Sequence, residues 1–229
     1  MSIDAWYSYY ELKKLERRTF EFLKKEPHVI AHFGDLYYKA GNQYDLISND
    51  NLLGRTDINF ESKFELKCRE DEYRIHIGAE VRSNHSVYFI AVCCKKDGIW
   101  KILRKFHFDY DKNGRERDHP IFHLQYAGEL SSALSEYNDH YDNILNPWLS
   151  EPRLFYPPVT LALLINTVLK EFQTDITSEL LNNDRWRGII KDNEIFAFKS
   201  YFEKCLSFLN SAEHKPSKKL FLTDYCYGK

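Results

Sequence analysis

The chain carries two different hydrophobic periods, and the change between them divides it into two parts. From Ile58 to Cys68 the apolar residues fall on alternate positions, which is the period of a strand with one buried face. After Gly128 the apolar residues recur every three to four positions, which is the period of an amphipathic helix. Strands followed by helices are the order typical of an α+β fold.

The same pattern predicts one domain over residues 1–229. We expect an N-terminal helix in 1–27 and a curved, mostly antiparallel sheet of about six or more strands in 28–128, because the connections between strands are short. A helical layer follows in 129–213. The tail, 214–229, has no assigned element.

Composition narrows the class of protein. The 229 residues are 43% hydrophobic, and 32 Lys and Arg stand against 34 Asp and Glu, so there is no overall charge to attract nucleic acid or an anionic membrane. The chain has no signal-peptide pattern and no apolar run long enough to span a membrane. Five cysteines without a CxxC pair suit a reducing compartment. We therefore expect a cytoplasmic protein that does not associate with a membrane.

One stretch, DYDKNGRERDHPIFHLQYAG at 109–128, concentrates groups that carry chemistry. If it forms a hairpin whose paired residue numbers sum to about 230, His107 lies opposite His123 and polar residues share one face. Two histidines beside a carboxylate allow general acid-base catalysis, with Asp109 fixing a tautomer. A solvated face with ordinary surface hydrogen bonds explains the same pattern. The candidate catalytic residues are His107, Asp109, His119 and His123.

Metal binding is not indicated by this hairpin, although a divalent ion is left open. His119 and His123 are four residues apart, roughly 13 Å along a strand, which is too far for one zinc ion unless Pro120 bends the strand. We predict no metal ligands and no cofactor.

A second pattern imitates a metal-dependent nuclease. Asp45, followed by Glu61-Ser62-Lys63 or Glu65-Leu66-Lys67, resembles a D…ExK arrangement that holds magnesium and polarises a water. The alternation of charges on a solvated strand face explains the same residues.

Basic residues also cluster near the hairpin, where they could hold a phosphate or a nucleic-acid backbone. Four neighbouring acidic residues weaken their field, so a solvated turn is the simpler interpretation. The candidate binding residues are Gln125, Arg104, Lys105, Arg115 and Arg117.

The segment HPIFHLQYAG, preceded by FDYD and followed by PRLFYPP, resembles a group of uncharacterised bacterial proteins with an HPxxHxQ signature. The resemblance covers roughly residues 106–172 and carries over His119, Pro120, His123 and Gln125. Some of these proteins look like accessory components of phage-defence or mobile-element loci. The resemblance therefore implies a cellular context and no specific chemistry. Ala127-Gly128 departs from the paired glycines of the group.

Two functions follow as hypotheses. The first is a non-enzymatic binding or assembly component of a bacterial defence-type system, acting with a protein partner or with nucleic acid. The abundant aromatic residues suit such an interface. The alternative is a hydrolase or metal-dependent nuclease that uses the His/Asp cluster of the hairpin. The oligomeric state is left open.

Overall fold

The computed structural model describes residues 8–25, 58–68, 71–81, 85–96, 98–111, 120–126, 153–171 and 175–211. Their elements, in chain order, are α1 (Tyr9–Lys25), β1 (Ile58–Cys68), β2 (Asp71–Val81), β3 (His85–Lys96), β4 (Ile99–Asp111), β5 (Phe122–Tyr126), β6 (Arg153–Phe155), α2 (Leu161–Glu171), α3 (Asp175–Leu181), α4 (Asp184–Glu194), a π-helical turn (Ile195–Lys199) and α5 (Ser200–Leu209).

The described strands lie in one sheet in the order β1-β2-β3-β4-β5-β6, and every neighbouring pair is antiparallel. The β3–β4 turn uses Gly98, whose φ of 77° lies in the left-handed region that glycine adopts without strain. The α+β class and the antiparallel sheet predicted from the sequence are confirmed. The curvature of the sheet stays a prediction.

The helices cover one face of this sheet. Alternate residues of β2, from Ile75 to Val81, and Tyr88 of β3 form one buried cluster with side chains of α1, α2 and α4. At the centre Trp186 is fully buried, stacks on Phe22 with ring centroids 5.6 Å apart, and donates from Nε1 to Asn166 Oδ1 at 3.2 Å. This cluster is one hydrophobic core of the described part of the chain, and a smaller one joins β4, β5 and α5 through Tyr110, Phe122 and Tyr201.

A buried carboxyl joins three of these elements. Glu16 of α1 is 3% exposed, and its Oε1 accepts from the Tyr88 hydroxyl of β3 at 2.8 Å and from the Leu161 backbone N–H of α2 at 3.0 Å. Burial raises the pKa of Glu16 to about 7, although both hydrogen bonds favour the ionised form. The helical pattern of α1 did not distinguish this glutamate from its exposed neighbours.

Local sequence sets the helix boundaries. Ser8 Oγ accepts from the Glu11 N–H at 3.3 Å, which starts α1 with the S-x-x-E pattern of a capping box. Asn183 Oδ1 accepts from the N–H groups of Arg185 and Trp186, so the segment around it forms two helices, α3 and α4, rather than one.

Some expectations concern residues outside the described ranges, and one observed strand was not expected. The strands expected within 28–57 and the first helix expected after Gly128 lie outside the described residues. The three-residue strand β6 was missed, because the sequence of Arg153–Phe155 is too short to show a period. None of the described helices is long and apolar enough to cross a membrane.

Candidate functional site

The hairpin of β4 and β5 brings the predicted polar residues onto one face, with a different pairing from the expected one. The observed partners sum to 232, so His107 pairs with Gln125 and Asp109 pairs with His123. The expected pairing of His107 with His123 is wrong, because the partner of His107 lies two residues further along β5. In that register Pro120 would face Tyr110 inside the ladder, where a residue without an N–H is disfavoured.

These residues lie on the face of the sheet opposite to the one that packs against α1, α2 and α4. The register aligns Phe89, His107 and Gln125 in one row across β3, β4 and β5, and it aligns Asp109 with His123 in the next row. His123 and Gln125 are 3% and 8% exposed, so these two side chains are buried and the expected solvated face is not observed. Buried polar groups of this kind need partners, and their partners define what the cluster can do.

His123 is held at both ring nitrogens. Its Nδ1 lies 2.9 Å from the Pro120 carbonyl oxygen, and its Nε2 lies 3.2 Å from Asp109 Oδ2. A carbonyl oxygen only accepts, so Nδ1 carries a proton and donates it. The proton between Nε2 and Asp109 gives either an imidazolium beside a carboxylate or a neutral ring beside a protonated carboxyl. In both states neither nitrogen is left for a substrate.

Two polar side-chain atoms of β4 lie beside this pair without a hydrogen-bond partner within the described structure. Asp109 Oδ1 and His107 Nε2 are shielded from solvent and have no hydrogen-bond partner among the described residues. Burial, and next the positive charge of Lys105, lower the pKa of His107 to about 4, so its ring is neutral at neutral pH. Its ring centroid lies 6.1 Å from that of Phe89. The cluster therefore ends in a neutral imidazole and one carboxyl oxygen.

Of the other candidate residues, three are not described, and two lie on opposite faces of β4. His119, Arg115 and Arg117 lie outside the described residues. Arg104 and Lys105 are consecutive on β4 and so face opposite sides of the sheet. Arg104 is exposed, whereas Lys105 is 1% exposed on the same side as His107. Of the described part of the expected basic patch, Arg104 and Lys105 are therefore divided between the two faces, and Lys105 shares the face of His107 and Gln125.

The nuclease pattern gains no support from the described residues. Asp45 lies outside them, and for Glu61 and Glu65 only the backbone pairing with Gly78 and Arg74 is described. No group of three or more His, Cys, Asp or Glu within the described ranges is placed to hold a metal ion.

Sequence reasoning missed Gly78, which shapes the same face. Gly78 pairs with Phe89, and a Cβ on Gly78 would lie 2.1 Å from Phe89 Cε1. The aromatic ring therefore occupies the space that any other residue at position 78 would fill. A glycine inside a strand pattern is a signal of such close approach, and it was available from the sequence.

A recess with an empty volume of about 220 Å³, part of it open solvent, borders the pair. Its walls are four aromatic rings of the helix-covered face, the segment from Pro157 to Val159, and parts of Asp109 and His123. Asp109 Oδ1, which lacks a hydrogen-bond partner in the described structure, is shielded from solvent, so the recess does not expose that atom.

No family model, curated protein or solved structure shows significant similarity to this chain.

Proposed function

We propose that this chain is a non-enzymatic binding or assembly component that acts with a protein partner. One observation carries the proposal: both nitrogens of His123 are occupied, by the Pro120 carbonyl and by Asp109. A general base needs a nitrogen within hydrogen-bond reach of the proton that it removes. A histidine held in this way acts instead as a buried link between β4 and β5.

Exposed apolar side chains support the binding class. Within the described ranges seven large apolar residues are between 37% and 59% exposed. Four of them, Ile195, Phe202, Leu206 and Leu209, lie on the π-helical turn and α5. Exposed apolar side chains that gather on one part of a chain favour a protein interaction site. A bacterial defence-type locus remains the proposed context, since the HPxxHxQ resemblance points there.

The test separates stability from binding. Replacing His123 by Ala leaves the buried Asp109 without its partner, which we expect to cost about 3–5 kcal/mol of folding free energy. At a temperature where the variant is still folded, it should recover the same partner from the native host as the unchanged chain. A monomeric mass together with no recovered partner would contradict the proposal.

A catalytic role is the second candidate, because Asp109 Oδ1 and His107 Nε2 are buried without partners in the described structure. Such atoms mark sites where a ligand or water binds. Asp109→Asn keeps the shape and removes the carboxylate. If the unchanged protein hydrolysed p-nitrophenyl acetate or bis-p-nitrophenyl phosphate, and this variant did not, the catalytic candidate would replace the binding proposal.

A further inference from the structure

Glu16 lies where three elements meet, and one of its carboxyl oxygens has no partner there. Oε1 accepts from the Tyr88 hydroxyl of β3 and from the N–H of Leu161, the first residue of α2. Oε2 is shielded from solvent and has no hydrogen-bond partner within the described structure. A buried carboxylate oxygen in this position loses its hydration without gaining a hydrogen bond. The junction therefore suits a neutral carboxyl better than an ionised one.

The groups around Glu16 do not compensate an ionised carboxylate. Tyr88 is the titratable group that faces it from β3, and α2 faces it with a backbone N–H. On α1, Lys13 lies one turn earlier and places its Nζ over an aromatic ring of the same helix, 5.0 Å from the ring centroid. Asp192 of α4 pairs with Arg18 of α1, where both side chains are exposed. No charged group among the described residues contributes to the pKa of Glu16.

The segment that leads into α2, residues 156–160, is held by few hydrogen bonds. Its two prolines have no N–H to donate. Tyr156 donates its N–H to the Phe122 carbonyl oxygen at 3.4 Å, which is longer than usual. The next N–H bond, from the first residue of α2, goes to the Glu16 side chain. A short segment with few hydrogen bonds opens at a lower free energy than the core around it.

The recess described above brings solvent close to this junction. Tyr88 forms part of its wall, and so do the residues from Pro157 to Val159, which end two residues before Leu161. Its volume of about 220 Å³ includes open solvent, so water reaches the outer side of the segment. A displacement of the segment would therefore bring water to Glu16.

We propose that residues 156–160 and the first turn of α2, residues 161–164, form a pH-sensitive latch, which is closed while Glu16 is protonated and opens when Glu16 ionises. Opening lets water hydrate the charged oxygen that has no partner in the closed state. Burial raises the pKa of Glu16 to about 7, so the change falls near neutral pH. The latch goes beyond the proposed function, because it concerns how the fold responds to pH and not what the chain binds.

Hydrogen–deuterium exchange of the full chain, followed by mass spectrometry between about pH 5 and about pH 8, tests the latch. After correction for the intrinsic pH dependence of exchange, residues 161–164 should exchange roughly tenfold faster or more at about pH 7 than at about pH 5. The centre of β3, residues 87–93, should stay unchanged. Glu16→Gln should remove the rise. Glu11→Gln, which removes an exposed carboxyl of the same helix, should keep it.

Three outcomes would overturn the latch. The first is a corrected rate in residues 161–164 that does not change with pH. The second is an equal rise in residues 161–164 and in β3, because the whole fold then responds and the opening is not local. The third is a rise that persists in Glu16→Gln, which assigns the effect to another group. The first two outcomes are read within the unchanged chain, so they do not depend on the folding of a variant.

Discussion

Glu16 gives the sharpest test of the described core, because its carboxyl is buried and titrates near neutral pH. Its pKa rises from an ordinary 4.5 to about 7 on folding. Between these values the folded chain keeps the proton that the unfolded chain has released. The stabilisation is therefore complete below about pH 4.5 and is lost as the pH rises to about 7.

The size of the effect follows from the two pKa values. Each pKa unit corresponds to about 1.4 kcal/mol, so the unfolding free energy should fall by about 3 kcal/mol over this range through Glu16 alone. Glu16→Gln removes the ionisation and keeps an oxygen for the Tyr88 hydroxyl and the Leu161 N–H. The variant should therefore gain about 3 kcal/mol relative to the unchanged chain between about pH 4.5 and about pH 7.

The assay is urea unfolding of both chains across this pH range, with the slope m checked for constancy so that free energies can be compared. Glu11→Gln is the matched control, since Glu11 lies on the same helix and is 53% exposed in its pair with Lys14. Its difference from the unchanged chain should stay within about 0.5 kcal/mol. A constant difference between Glu16→Gln and the unchanged chain over the whole range would refute the reasoning.

Three further predictions concern single contacts. Gly78→Ala should cost about 1–3 kcal/mol in urea unfolding, because its Cβ would meet the Phe89 ring, and the cost should disappear in a Phe89→Ala background. Asn183→Ala should cost about 1 kcal/mol in the same assay by removing the cap of α4. Replacing both His123 and Asp109 by Leu should restore most of the thermal midpoint lost in His123→Ala; a further fall would show that the pair is needed for more than mutual neutralisation.

The parts of the fold that repeat with a period could be predicted from the sequence. The alternation in β1 and β2 and the helical spacing in α2 identified those elements, because the hydrophobic period of each segment matches the period of its backbone. The three residues of β6 and the break between α3 and α4 are set by a neighbouring strand and by one asparagine side chain. Neither of these causes produces a hydrophobic period along the sequence.

The candidate site was predictable only in outline. The alternation of polar residues indicated that His107, Asp109, His123 and Gln125 share a face, and the observed register is even, as that argument requires. The register itself depends on where Pro120 can lie, and burial depends on how the whole chain packs. For these reasons the sequence predicted a solvated face where the structure has a buried one.

The two faces of the sheet carry buried groups whose pH effects oppose each other. Glu16, on the helix-covered face, destabilises the fold as the pH rises toward about 7. Burial lowers the pKa of His107, on the other face, from 6.5 to about 4. As the pH falls through this range, the unfolded chain takes up a proton at His107 and the folded chain does not. The unfolding free energy therefore falls by about 3 kcal/mol in total. The two slopes overlap between about pH 4.5 and about pH 6.5 and cancel there. A flat stability profile of the unchanged chain in that interval is thus the expected sum of two buried groups, and the Glu16→Gln chain should lose stability steadily as the pH falls through the same interval.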